Sequence, residues 1–432
     1  MRARAMLYCQ HLAGIGHLIR SAELARALAA ECWDVVLVCG GDVPQGFVFP
    51  KGVRVERLEA LESDPEYKTL TACETGQDVD AVKVRRTVHL LSLFDAFAPD
   101  VLVTEMYPFG RKKFEFELQP LLERARHAER RPVIAASVRD ILVRRENQDA
   151  WERRAIQVVN RFYDAVLVHS DELLQPLSAT FHAASEICTA VLHTGYVVAD
   201  EEGAHAQEMD AAARAFVNEA LQGEKFVLVS CGSGRLQAGT TLMVAALESA
   251  EALEGRFPCK MVVCAGPLAA PEDYALYERM ARGRGNLVLV HDLPYLRNLM
   301  ERAELSVSLG GYNTVMELMK VRAQALVFAA EPNGDSEQRM RVEALAAAGQ
   351  MRMLEARDLI NGRLAGRIEH ALCEPLTVEQ RQMDGAQTSA QILKLLQRVR
   401  EAREALTPSV HSVRATGAAG EATSREGQTL CA

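Results

Sequence analysis

No Cys-x-x-Cys pair occurs in this sequence, although it holds ten cysteines. In a chain of 432 residues, scattered cysteines point to reduced thiols and a cytoplasmic location rather than a disulfide framework. No apolar run approaches the roughly 18 residues of a membrane span. The start of the chain offers no signal peptide, because Gln10, His11 and His17 interrupt the apolar stretch too early. A basic excess is also missing: the net charge is -9, which argues against general nucleic-acid binding. No glycine loop is followed by Gly-Lys-Ser/Thr, so there is no P-loop. No Gly-x-Gly-x-x-Gly with a downstream acid is present, which argues against a dehydrogenase.

What is present is a soluble globular balance, 49% apolar and 25% charged, in a chain long enough for two domains. Short apolar strands alternate with helical periodicity. Met6–His11 reads as a strand, and His17–Glu31 as a helix with Leu18, Ala22, Ala25 and Leu28 on one face. The continuous apolar run Asp34–Gly41 suits the centre of a parallel sheet. Further strands are expected at Val53–Leu58, Val101–Met106, Pro132–Val138, Ala165–His169 and Val191–Val198, with a helix over Asp78–Phe97. The pattern restarts with strands at Phe226–Cys231, Lys260–Cys264, Leu287–His291, Leu305–Leu309 and Ala325–Phe328. This alternation predicts an α/β protein with two Rossmann-like, doubly wound parallel-sheet domains. The expected divisions are residues 1–199, an acidic linker region at 200–222, 223–385, a closing amphipathic helix at 386–406, and a disordered tail at 407–432.

In such sheets ligands bind beyond the carboxyl ends of the strands. Five candidate motifs follow strands: His17, Gly232-Ser233-Gly234, His291-Asp292, Gly310-Gly311 and the polar stretch 332–338. The central one is Gly310-Gly311-Tyr312-Asn313-Thr314-Val315-Met316-Glu317. Its glycines permit a sharp turn and close approach to a ligand, and the first helix amides suit a phosphate. Thr314 and Glu317 share a helix face, so a carboxylate could hold a ribose diol while the hydroxyl reaches a phosphate. The simpler alternative is a Thr-x-x-Glu capping box.

Together these motifs resemble those of the GT-B glycosyltransferases, especially the family that adds N-acetylglucosamine to the peptidoglycan precursor. The matching residues are Gly14-Ile15-Gly16-His17, Gly232-Ser233-Gly234, Gly310 to Glu317, and Asp335-Ser336-Glu337-Gln338. The resemblance implies two domains facing a cleft. A nucleotide-sugar donor, UDP-like, would bind mainly to the second domain and an acceptor hydroxyl to the first. It places Glu317 on the ribose, and Thr314, Gly310, Gly311 and the Gly232-Ser233-Gly234 loop near the diphosphate, with Asn313 in the same turn. Glu337 and Gln338 would meet the sugar hydroxyls, His291 the base, and His17 the reacting centre. Inversion at the anomeric carbon is likewise implied. The Ile15-Gly16-His17 form is similar to the first loop of nucleotide-sugar hydrolases of flagellin sugar synthesis, so water is an alternative acceptor. A non-catalytic nucleotide-sugar sensor is a third reading.

The catalytic candidates are His17, Glu105 and Asp140. A neutral His entering a helix can act as general base, and Glu105 and Asp140 end strands on the acceptor side. Ordinary strand-end polarity, with an Arg139–Asp140 ion pair, is the alternative for the acids. Asp78-Val79-Asp80 spells a metal-binding Asp-x-Asp, but acids at a helix start are favourable by themselves. No metal requirement and no cofactor are expected. Membrane contact would be peripheral, and only for a lipid acceptor.

Overall fold

The computed structural model describes residues 2–12, 15–63, 69–73, 76–199, 203–234, 236–254, 256, 259–331 and 336–406. Gly14, Arg235, the stretch 332–335 and the tail 407–432 lie outside the described residues. The tail for which disorder is expected, and Asp335 of the Asp335–Gln338 motif, thus fall outside them.

The first domain is built on seven parallel strands: β1 (Arg4–Cys9), β2 (Asp34–Cys39), β3 (Val53–Arg57), β6 (Val101–Glu105), β7 (Val133–Arg139), β8 (Ala165–His169) and β9 (Ala190–His193). Their order is β3-β2-β1-β6-β7-β8-β9, with a small antiparallel hairpin, β4 (Leu61–Ser63) and β5 (Leu70–Ala72), beside it. The second sheet has β12 (Leu287–Val290), β11 (Lys260–Cys264), β10 (Phe226–Ser230), β13 (Leu305–Leu309), β14 (Ala325–Phe328) and β15 (Arg352–Leu354), in that order. This is the expected pair of doubly wound domains.

Strand periodicity of two explains the layering. In the first sheet Met6, Tyr8, Val36, Val38 and Leu102 enter one core, while Ala5, Leu7, Val35, Leu37 and Val101 enter the other. Helices cover both faces, so both sets must be apolar, which is why these strands read as continuous apolar runs. Helix α1 (Gly16–Ala30) buries Leu18, Ala22, Ala25 and Leu28, the face its periodicity predicts. Helices α2 (Val79–Phe97), α3 (Glu115–Arg126) and α4 (Gln148–Phe162) complete this domain's own set. Asp78 is the N-cap of α2, accepting from the Asp80 amide, and Asp80 pairs with Lys83. These local roles account for the Asp-x-Asp.

One stretch differs from expectation. Residues 200–222 are read above as a linker, but Gly203–Glu219 forms helix α5. Its Ala-rich centre favours helix. It packs on the second domain, burying Ala213 and pairing Asp210 with Arg302. The second domain continues through α6 (Gln237–Leu253), α7 (Pro271–Ala281), α8 (Leu296–Arg302), α9 (Tyr312–Lys320), α10 (Glu337–Ala347) and α11 (Arg363–Cys373). The final helix, α12 (Gly385–Leu406), crosses back to the first domain. Ala386, Ala390 and Leu393, spaced to share a helix face, join the core formed by α1 and the first sheet. Lys394 bonds Glu31, and Arg400 donates to the carbonyls of Arg131 (2.9 Å) and Pro132 (2.8 Å). The last helix thus straps the second domain to the first.

Candidate functional site

Each sheet reverses its winding at one place: between β1 and β6 in the first, and between β10 and β13 in the second. Crevices open at such switch points. His17 stands at the start of α1, just beyond β1, and Glu105 ends β6, so the first crevice brings two candidates together. His17 Nδ1 lies 2.9 Å from Glu105 Oε1. Ser137 Oγ donates to the other carboxylate oxygen at 2.6 Å. Behind it, His169 Nε2 is 2.9 Å from Ser137 Oγ, and His169 Nδ1 is 2.8 Å from Thr194 Oγ1. Arg20, one turn along α1 from His17, also bonds Glu105.

Glu105 is 2% exposed. Burial alone would raise its pKa, but the Arg20 guanidinium and then His17 outweigh this and hold the carboxyl well below its usual range. The pKa of His17 is lowered as well, which for a histidine favours the neutral form. Burial first, and the Arg111 guanidinium second, lower its pKa to about 3, so the ring is neutral. His17 Nδ1 is also 2.9 Å from Arg20 Nη2. A carboxylate can only accept, and Nδ1 is the ring atom that faces Glu105 Oε1, so the Nδ1–H tautomer is the one that completes this hydrogen bond. That leaves the Nε2 lone pair able to take a proton.

Asp140, the third catalytic candidate, is engaged in a bridge between the domains. It is bound by Arg341 of the second domain through two hydrogen bonds, Nε to Oδ2 at 2.6 Å and Nη2 to Oδ1 at 2.9 Å. Both side chains are fully buried, so the carboxylate is occupied by a guanidinium and not presented to an acceptor. Glu337, expected beside sugar hydroxyls, is likewise held by Arg341 (2.7 Å) and by Arg139 across the cleft (2.6 Å). Between these bridges sits Tyr312, the first residue of α9. Its ring lies 5.7 Å from the Arg20 guanidinium and 5.1 Å from that of Arg341. Its hydroxyl donates to the Val197 carbonyl at 3.3 Å. One cation–π contact across the cleft, Arg20 on Tyr312, and two ion pairs, Asp140–Arg341 and Arg139–Glu337, therefore hold the domains face to face.

At the second switch point the glycine loops approach as their composition requires. Gly232 and Gly234 have φ of 65° and 82°, in the left-handed region. A Cβ on Gly234 would stand 2.7 Å from the Ala265 carbonyl oxygen, and one on Gly266 2.5 Å from that of Gly232. The Ser233 carbonyl accepts from Leu268 (2.9 Å), so this loop and the turn after β11 are packed backbone to backbone. Gly310 is closed in by Val342, whereas a Cβ on Gly311 would meet open space. Gly311 is the N-cap of α9 and is extended, with no side-chain cap. Thr314 is therefore the third helical residue, not the cap. The capping-box alternative fails here, because the helix begins two residues before Thr314. Glu317 and Thr314 are half-buried and Asn313 is exposed. Gln338 Oε1 accepts from the Ala330 amide at 3.2 Å, and His291 is exposed after β12 with its ring 5.0 Å from that of Tyr274.

Sequence reasoning missed Arg20, Ser137, His169, Gly266 and Arg341. Two of these had a signal: Arg20 is three residues from His17, and Arg341 four from Glu337, each on the same helix face.

The family model of the glycosyl transferase 4-like domain matches residues 16–190, and that of the glycosyltransferase family 28 C-terminal domain matches residues 226–399. The chain is a GT-B glycosyltransferase. It moves a sugar from a nucleotide-sugar donor to an acceptor. Solved structures agree on the fold. A putative UDP-N-acetylglucosamine 2-epimerase from Listeria monocytogenes is 14% identical, with 93% of this chain and 98% of that one covered, at a TM-score of 0.57. A UDP-glucosyltransferase from Polygonum tinctorium is 14% identical over 95% and 96%, at 0.53. MurG of Acinetobacter baumannii is 11% identical over 92% and 100%, at 0.50. A comparison with curated protein sequences finds no match. Among the described residues of this glycosyltransferase, no helix is long and apolar enough to cross a membrane.

Proposed function

We propose that the glycosyltransferase uses a UDP-sugar, that Glu317 holds the donor ribose, and that His17 deprotonates the acceptor. The supporting observation for the donor is the turn at Gly311. It leaves space beside the start of α9, and the first amides of a helix have no partner within it. A diphosphate there would be stabilised by those amides and the helix dipole, and leaving-group charge in the transition state more so. Glu317 and Thr314 lie on one face of the same helix. The base contact would fall near His291, and the sugar near Gln338. UDP is favoured because two of the similar folds carry UDP in their names.

The acceptor hydroxyl would attack the anomeric carbon as His17 Nε2 takes its proton, and the nucleoside diphosphate would leave on the opposite side. That in-line arrangement inverts the anomeric centre. The helix-start amides would stabilise the leaving diphosphate, so this chemistry calls on no metal. Glu337 would reach the sugar only after releasing Arg139, so it is assigned to domain closure instead.

Glu317→Ala is the test. Charge-assisted hydrogen bonds contribute about 1.5–3 kcal/mol net, so UDP affinity should fall roughly ten- to a hundredfold by calorimetric titration. UDP and UDP-sugar should weaken alike, because the contact is to ribose. Unchanged UDP affinity would remove the donor-site assignment. UDP release that depends on added acceptor would separate transfer from hydrolysis.

A further inference from the structure

A cavity of about 750 Å³ opens in the first domain, with Leu12 and Arg111 in its lining. Leu12, Pro108, Phe114 and Trp151 give it an apolar wall. Arg111, Lys112, Lys113, Arg145 and Arg154 also line it. Five cations around one cavity run against a chain whose net charge is -9. Glu115 answers Arg154 at 2.5 Å. Two guanidinium atoms, Arg111 Nε and Arg154 Nη1, are buried without a hydrogen-bond partner among the described residues. Buried donors left unpaired are unfavourable, and a ligand that supplies acceptors relieves them.

The cavity is tied to the reacting centre by sequence and by field. Leu12 belongs to the β1–α1 loop, and Arg111 is close enough to His17 to depress its basicity. We propose that this cavity receives the acceptor, and that the acceptor carries an anionic group (phosphate, diphosphate or carboxylate) joined to an apolar body. The anion lies on Arg111 and Arg154, and the apolar body lies against Leu12, Phe114 and Trp151. This rests on the transfer chemistry proposed above. It also supplies something that chemistry needs. Burial is the first cause that holds His17 a weak base and the Arg111 charge the second, so an anion on Arg111 removes part of the depression and the base strengthens when the acceptor is seated.

Binding can be read without donor. Trp151 lines the cavity, and the other tryptophan, Trp33, is buried in the core. Full-length protein would be titrated with farnesyl phosphate, farnesol, phenyl phosphate and inorganic phosphate, following tryptophan emission and heat. Farnesyl phosphate or phenyl phosphate should bind at least about tenfold tighter than farnesol and inorganic phosphate, since charge and apolar area act together. The emission change should vanish in Trp151→Phe. A preference for the farnesyl compound assigns a lipid source, and a preference for the phenyl compound a soluble aromatic one. Arg111→Gln should weaken the anion about tenfold or more, and the exposed Lys112→Gln by a smaller factor, with UDP affinity unchanged in both. If Arg111→Gln does not fold, Lys112→Gln decides. Equal binding of farnesol, or wild-type anion affinity in the folded variants, overturns the proposal. Loss of UDP binding in the wild type would instead overturn the donor reading and leave the anion result standing.

Discussion

His17→Ala lowers turnover by about a hundred- to ten-thousandfold, the range of a lost general base, and leaves UDP affinity unchanged. The geometry gives the reason. Glu105 accepts from Nδ1, which fixes the tautomer and aims the basic lone pair from Nε2. Ser137 and His169 orient Glu105 from behind, so Glu105 is a positioning residue. Glu105→Gln should therefore lower kcat with little change in donor KM. The acid dependence follows from the lowered His17 pKa. The folded protein declines a proton that the unfolded chain accepts below about 6.5. The stability this lends is complete above that pH and is lost as pH falls toward about 3. Free-enzyme kcat/KM should accordingly show no acid limb near 6.5. A limb there that disappears in His17→Ala would place His17 in ordinary water. Collapse of UDP affinity in His17→Ala, with turnover retained, would make it a phosphate ligand.

The sheets were legible because strands buried on both faces must be apolar throughout. Asp34–Cys39, Phe226–Ser230 and Lys260–Cys264 announce themselves that way. Glycine marks its own uses too, and the positive φ of Gly232 and Gly234 is of that kind. The short strand Arg352–Leu354 and the helix Arg363–Cys373 did not stand out, since three residues carry no period and the helix lacks a side-chain cap. The linker reading of 200–222 followed its acidic start, whereas Ala211 to Phe216 decides the helix. The site divides similarly. His17 and Glu105 could be named because strand ends converge at a switch point. Arg341 could not be matched to Asp140 across 201 positions, because their meeting depends on how two domains face each other. The nearer Arg139 drew the assignment, yet it reaches Glu337 instead.

Asp140→Ala separates the two roles this residue has been given. As one half of a fully buried ion pair, its loss leaves the Arg341 guanidinium uncompensated, and breaking such pairs destabilises by about 3–5 kcal/mol. The lower end is expected, because Glu337 still holds Arg341 at 2.7 Å. Chemical denaturation should show this loss, and calorimetry should show the two domains melting less cooperatively, since a tie between them is gone. Removing the stranded charge as well should repair part of it. The pair Asp140→Ala with Arg341→Met recovers stability relative to Asp140→Ala alone, because apolar groups of similar volume replace buried ion pairs with little loss. Turnover per folded molecule should fall modestly, through poorer domain closure, and in the double variant it should stay low because the bridge is still absent. A base would behave otherwise. If Asp140→Ala keeps its stability and loses a hundredfold or more in turnover, the bridge opens during catalysis and Asp140 returns to the chemistry as the group that takes the acceptor proton.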